Sequence, residues 1–112
     1  MEKIKFNQHQ SVFKVGELPD KMYLLVKGSV GIFLPTNRSN DPNFIIQENE
    51  LFGEMGVIEN ELRMATARCL VDSEIISITK EEFNKRVNNS DVFVKGCLKA
   101  LSYRLRSVEK KM

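Results

Sequence analysis

Phe52-Gly53-Glu54-Met55-Gly56-Val57-Ile58-Glu59-Asn60-Glu61-Leu62-Arg63-Met64-Ala65-Thr66-Ala67 is the stretch that decides how this chain is read. Gly53 and Gly56 carry no side chain, so their backbone N–H groups can approach a ligand closely. Glu54 to Ile58 can form a short helical turn whose first N–H groups lack intrahelical partners, and such a helix start attracts anions. Arg63 then stands in an otherwise small or apolar run, Leu62-Arg63-Met64-Ala65-Thr66-Ala67. A guanidinium in that company needs an anionic partner, because an unpaired charge in a poorly hydrated place is costly. Its planar fork matches phosphate oxygens two at a time. Glu54, ionised at neutral pH, only accepts hydrogen bonds, and suits a pair of hydroxyls such as a cis-diol. Arg63 can also pair with Glu54 and hold the segment shut, and the two arrangements can coexist in different states.

Upstream, short apolar runs alternate with turn residues. Ile4 to Phe6 can start a strand, and Asn7-Gln8-His9-Gln10 is a polar turn. Ser11 to Val15 reads as a second strand, followed by a turn from Gly16 to Asp20 that contains Pro19. Met22 to Val26 is mostly apolar, as expected of a strand buried on both faces. Lys27-Gly28-Ser29 breaks it as a tight turn. Ser29 to Leu34 alternates, with Val30, Ile32 and Leu34 on one face and Gly31 on the other. The polar run from Pro35 to Pro42 reads as a mobile loop tip. Phe44 to Ile46 resumes a strand.

Downstream, Met64 to Leu70 and Ile75 to Ile78 read as two more strands. Many short strands parted by turn signals imply a sandwich or barrel. Thr79-Lys80-Glu81-Glu82 has the form of a capping box and opens a helix to about Val87. Ser90 or Asp91 caps a last helix, in which Phe93, Cys97, Leu98, Leu101, Leu105 and Val108 recur at helical spacing.

The 112 residues amount to one domain, long enough for a core without staples. Lys and Arg total 17 against 15 Asp and Glu, a net charge of +2, which carries no general nucleic-acid or membrane signature. The dense basic run, Arg104-Arg106 with Lys110-Lys111, reads as a solvated helix face rather than a DNA contact. No stretch approaches membrane-spanning length and no signal-peptide core follows Met1-Glu2-Lys3-Ile4-Lys5, so a cytoplasmic location is expected. Cys69 and Cys97 read as buried or half-buried free thiols. His9, the one histidine, reads as a surface turn residue, so neither a catalytic pair nor a metal site is expected.

Phe52-Gly53-Glu54 and Arg63-Met64-Ala65-Thr66 resemble the two halves of the phosphate-binding cassette of the cyclic nucleotide-binding domain family, at the family's usual gap. Phe13, Gly16, Glu17, Asp20, Met22-Tyr23, Gly28, Val30 and Ile32 resemble its hairpin region, and Ile78, Glu82 and Phe83 the entry to its C-terminal helices. The resemblance covers nearly the whole chain. It implies a mainly β fold with C-terminal helices: a jelly-roll β-barrel of about eight strands, a short cassette helix and two C-terminal helices. Residues 1–112 would form one domain, with the barrel at 1–78, the cassette at 52–67 and the lid helices at 79–112. The chain departs from the family at Asn49, where Gly is usual, at Leu62, where Pro is usual, and at Gly56, where Ala is usual. Asn can adopt positive φ at modest cost.

The same resemblance implies a cyclic nucleotide-binding regulatory domain. Phe52, Gly53, Glu54, Met55, Gly56, Arg63, Met64 and Ala65 would hold the nucleotide, with Arg63 on the exocyclic phosphate and Glu54 on the ribose 2′-hydroxyl. Leu101, Arg104 and Leu105 would cover the base. Family members that prefer cyclic GMP often have Thr after the arginine; Met64 lacks that hydroxyl, so cyclic AMP is the expected ligand, with cyclic GMP possible. The expected partners are the nucleotide and either a further protein or a second copy through the C-terminal helix. No helix-turn-helix follows the lid helix, so a stand-alone sensor or a domain of a channel, kinase or other regulator is expected. The alternative is a domain of this fold that has lost its ligand and serves protein interaction or dimerisation. An enzyme on a jelly-roll barrel, such as a cupin, needs several histidines for its metal, and this chain has one.

Overall fold

The computed structural model describes residues 1–100, apart from the side chains of Met55, Ile58 and Glu59. In chain order these form β1 (Glu2–Phe6), β2 (Ser11–Phe13), β3 (Lys21–Lys27), β4 (Val30–Phe33), β5 (Phe44–Ile46), β6 (Leu51–Phe52), α1 (Glu54–Glu59), β7 (Thr66–Cys69), β8 (Ser73–Thr79) and α2 (Lys80–Asn88). Residues 92–100 are helical again.

The apolar run Met22 to Val26 becomes the body of β3. It is flanked on both sides, by β8 and β6, in a sheet of order β1-β8-β3-β6. On β8 the inward positions are Ser73, Ile75 and Ser77, a strict period of two that turns one face to the core. Register places Leu25 opposite Ile75 and Tyr23 opposite Ser77, so a small residue faces the ring. The second sheet has the order β2-β7-β4-β5. Its inner face supplies Phe13, Val30, Ala67 and Cys69 to the core, against Tyr23, Leu25, Phe52 and Ile75 of the first. Leu25, Val30, Ala67, Cys69 and Ile75 are fully buried. Burial on this scale stabilises by about 1.5–3 kcal/mol for each large aliphatic side chain.

Eight strands in this order, with α1 between β6 and β7, make the jelly-roll arrangement the sequence implies. The two sheets stay separate rather than closing into a barrel. Strands of two or three residues, such as β2, β5 and β6, are too short to carry a ladder across both gaps.

Several expectations change. Leu34 lies outside β4 and is 37% exposed, while Phe33 is buried. Phe33 shares a strand face with Gly31, which stands opposite Arg68, and the Arg68 guanidinium covers the Phe33 ring at 4.2 Å, a cation–π contact. Cys69 is buried as expected, but Cys97 is exposed. Val92 and Phe93 are 83% and 80% exposed, so the start of the last helix presents its apolar residues to solvent rather than to the core. Leu101, Arg104 and Leu105 lie outside the described residues.

The local signals held. Asn49 has φ 71°, as its place in a tight turn requires. Thr79 caps α2 by accepting from the Glu82 N–H, and Glu82 accepts from the Thr79 N–H in return. Asp91 accepts from the Val94 N–H at the start of the next helix. Among the described residues no helix is long and apolar enough to cross a membrane.

Gly28 has φ 115°, and a Cβ there would sit 2.7 Å from the Ser73 Cβ and 2.8 Å from its Cα. Both the backbone strain and the overlap are unavoidable, so Gly28→Ala should cost about 2–4 kcal/mol. Gly16 also has positive φ, but a Cβ there meets open space, so Gly16→Ala should cost only about 1–2 kcal/mol from its backbone alone. Urea unfolding of the two variants checks the ranking, and equal midpoints would contradict it.

Candidate functional site

The segment from Phe52 to Ala65 leaves the first sheet at β6 and returns to the second at β7. Phe52 pairs with Tyr23 across the β3–β6 ladder and is 2% exposed. Its ring stacks with those of Phe13 and Tyr23, at centroid distances of 6.3 and 5.4 Å. Phe52 is thus part of an aromatic floor. Gly53 then turns the chain with φ 74°. A Cβ there would fall 2.9 Å from the Phe13 ring and 3.0 Å from Arg63 Nη1, so glycine is needed for space as well as for angle.

Helix α1 follows at once, and no side chain caps its N-terminus. Gly56 faces inward from it: a Cβ would meet Pro19 Cβ at 2.9 Å and Arg63 Nη1 at 3.3 Å. The helix closes on Asn60, whose φ of 56° is left-handed and whose N–H donates to the Gly56 carbonyl. The chain then runs back beside the turn at Gly16 and Glu17. Arg63 N–H donates to the Glu17 carbonyl at 2.9 Å, and Gly16 N–H donates to the Arg63 carbonyl at 2.8 Å. Both bonds fix the backbone of Arg63 and aim its side chain inward.

Arg63 is 5% exposed. Its guanidinium lies 4.2 Å from the Phe13 ring centroid and 5.9 Å from that of Tyr23. Nη1 donates to the Gly53 carbonyl at 2.5 Å and Nη2 to the Lys21 carbonyl. Nε is buried with no hydrogen-bond partner. Burial pulls the guanidinium below its ordinary pKa, and Tyr23, Asp20, Glu17 and Glu54 pull it back up. The alternative pairing of Arg63 with Glu54 is not formed among the described residues. Main-chain carbonyls, not a carboxylate, hold this cation. They compensate its charge only partly, so an anion reaching the site would be strongly favoured.

Glu54 is half-buried at the start of α1. Burial pushes its carboxyl above the ordinary 4.5, opposed by the hydrogen bond from its own backbone N–H and by the Arg63 charge. Burial also raises the Tyr23 hydroxyl.

The predicted residues therefore divide. Gly53, Glu54, Gly56 and Arg63 come together around the guanidinium. Phe52 supports them from below. Met64 is 66% exposed at the rim and Ala65 is half-buried. The Met55 side chain is not among those described. Thr66, the first residue of β7, accepts from the Val15 N–H at 3.1 Å, a bond to a segment 51 residues away in the chain. Phe13 and the Lys21 carbonyl were not predicted as parts of the site. A ring and a carbonyl far away in sequence carry no local signal; only the meeting of β2, β3 and the return segment puts them there.

The family model described as the cyclic nucleotide-binding domain matches residues 3–90. The anaerobic regulatory protein of Bacillus subtilis is 27% identical over 98% of this chain and 47% of its own length. The cyclic AMP receptor protein of Thermus thermophilus is 24% identical over 93% of this chain and 49% of its own. The chain thus spans about half the length of the curated relatives it matches. An EAL enzyme described in a cGMP-bound form superposes with a TM-score of 0.80 at 32% identity, over 98% of this chain and 30% of that one. A cAMP-bound form of the same enzyme gives 0.77 at 33% identity, over 97% of this chain and 30% of that one. The catabolite activator protein of Thermus thermophilus shares the fold, with a TM-score of 0.79 at 22% identity over 98% of this chain and 52% of that one.

The raised pKa of Glu54 fixes the sign of one effect. The folded state favours the protonated acid, so this group's contribution is complete below the ordinary 4.5 and lost as pH rises through the folded value. Glu54→Gln should therefore be more stable than wild type near neutral pH, with the difference closing as pH falls into the carboxylate range. Thermal unfolding of both proteins across that window tests this, and a difference that grows on acidification would refute it.

Proposed function

The chain belongs to the cyclic nucleotide-binding domain family, and we propose that its cassette binds cyclic AMP and regulates through the helices that follow. The observation that carries this reading is Arg63: a guanidinium 5% exposed, one of whose N–H donors has no partner, lying between two glycines and the aromatic floor. In this reading Arg63 takes the exocyclic phosphate oxygens, giving up carbonyl acceptors for charged ones. Gly53 permits the close approach, and the N–H groups of Gly56 and Met64 complete the cradle. Glu54 accepts from the ribose 2′-hydroxyl. A carboxyl whose pKa is raised by burial gains from that donor, since the hydrogen bond favours its charged form.

The preference for cyclic AMP rests on Met64. Its thioether side chain, at the exposed rim, offers no hydroxyl to a guanine edge. Adenine would be held by apolar contacts, in which Leu101 and Leu105, with Arg104, serve as lid residues. Phosphate capture reorders α1, and the C-terminal helices close over the base. The nucleotide drives this only by its extra affinity for the closed arrangement. The exposed Val92 and Phe93 are available to a protein partner or a second copy. The domain itself does no chemistry in this reading.

Calorimetric titration with cyclic AMP and cyclic GMP tests the assignment. Wild type should bind cyclic AMP more tightly, and Arg63→Ala should weaken binding by about 10-fold to 100-fold, the worth of a charged hydrogen-bonded contact. Heat traces without binding in both proteins would support a domain that serves protein interaction instead.

A further inference from the structure

A second arginine, on the other side of the same strand, stands beside a cavity of its own. Along β7, Ala67 and Cys69 point into the core and are fully buried. Arg68, between them, points to the outer face of the second sheet, away from the Arg63 site. The Phe33 ring, 4.2 Å from its guanidinium, holds one face of that group. No ion pair reaches Arg68 among the described residues. Arg63 Nε is the buried side-chain donor left without a partner, so the donors of Arg68 face open space. That space is a cavity of about 360 Å³, open on one side and lined by His9, Asn40, Arg68 and Leu70.

The walls of this cavity are built and held. On one side the β1–β2 turn is tied to the end of β7. His9 N–H donates to the Cys69 carbonyl at 2.8 Å, and Cys69 N–H donates to the Gln10 carbonyl at 2.9 Å. Asp72, the carboxylate nearest to Leu70 in the chain, accepts from the Gln8 N–H at 2.8 Å and so serves the turn. His9 itself has a φ of 71°, where glycine or asparagine would sit with less strain. On the other side, Asn37 Nδ2 donates to the Asp41 carbonyl at 2.8 Å, and Asn43 N–H to the Ile32 carbonyl at 2.9 Å. These bonds hold the loop that carries Asn40. Gly31 lets that loop come down onto the sheet: a Cβ there would lie 2.9 Å from Pro42 Cβ and 3.0 Å from Leu70 Cδ2.

We propose that this cavity is a second ligand site, separate from the cassette, for a small organic carboxylate with a flat or apolar body. The Arg68 fork, already oriented by Phe33, takes the two carboxylate oxygens together. Asn40 and His9 can each donate one more hydrogen bond, and Leu70 offers the apolar wall on which the body rests. The orientation of the fork by a ring removes part of the entropy that a free arginine loses on binding. A single arginine in a concave site suits a small anion rather than a nucleic-acid backbone, which needs a row of cations.

Benzoate is the probe, with benzamide as its uncharged counterpart and acetate as the anion without a body. In two-dimensional amide NMR, benzoate should shift the resonances of His9, Arg68 and Leu70 saturably, with a dissociation constant of about 1–10 mM. Benzamide and acetate should each bind about 10-fold more weakly. Arg68→Gln should weaken benzoate binding about 10-fold or more. Asn40→Ala leaves the contact with Phe33 intact and should weaken it about two- to fivefold, which keeps the test open if Arg68→Gln fails to fold. Shifts that do not saturate, that centre on Gly53 and Arg63 instead, that benzamide reproduces equally, or that survive both substitutions unchanged would each overturn the site.

Discussion

A single guanidinium enclosed by rings and carbonyls is the constraint from which the rest of the site follows. Arg63 is 5% exposed, yet no carboxylate pairs with it among the described residues. A buried cation in that position is tolerable because Phe13 offers its ring face and two carbonyls accept from it. It is not fully satisfied, because Nε has no partner. Stability and binding therefore pull in opposite directions at this residue. The fold bears a partly compensated charge, and that deficit is what an anionic ligand would relieve.

Holding the guanidinium there takes both sheets. Phe13 comes from β2, Tyr23 and the Lys21 carbonyl from β3, Phe52 from β6, and the backbone clamp from the Gly16–Glu17 turn. Glycine at 53 and 56 keeps the space clear that these groups leave. The departure from Ala at Gly56 has a local reason in this chain, since a Cβ would press on Pro19. Helix α2 attaches to the same place through the Lys80 N–H, which donates to the carbonyl of Asp20, the residue beside Lys21.

Much of this was legible in the chain. Signals that act within a few residues reported faithfully: the capping box at Thr79 and Glu82, the cap at Asp91, the turn at Asn49, and the apolar run that became β3. Such signals work because the energy they describe is local, a hydrogen bond or a dihedral preference. Readings that needed a distant partner were less secure. Leu34, read as sharing a strand face with Val30 and Ile32, lies beyond the end of β4 and is exposed, and Cys97 and Phe93 are exposed although their spacing is that of an apolar helix face. Periodicity shows that residues share a face; it does not say what that face meets.

By itself the sequence determined most of the elements, though not the short strand β6, and it showed that glycines flank an acid in the same short segment as an arginine, in a pattern that resembles the cassette of its family. Only the tertiary structure decided that Arg63 turns inward to carbonyls rather than toward Glu54, that Phe13 lies beneath it, and that two open sheets replace a closed barrel. The reason is physical: the direction of a charged side chain is set by the desolvation and hydrogen bonds it meets, and those come from strands far apart in the chain.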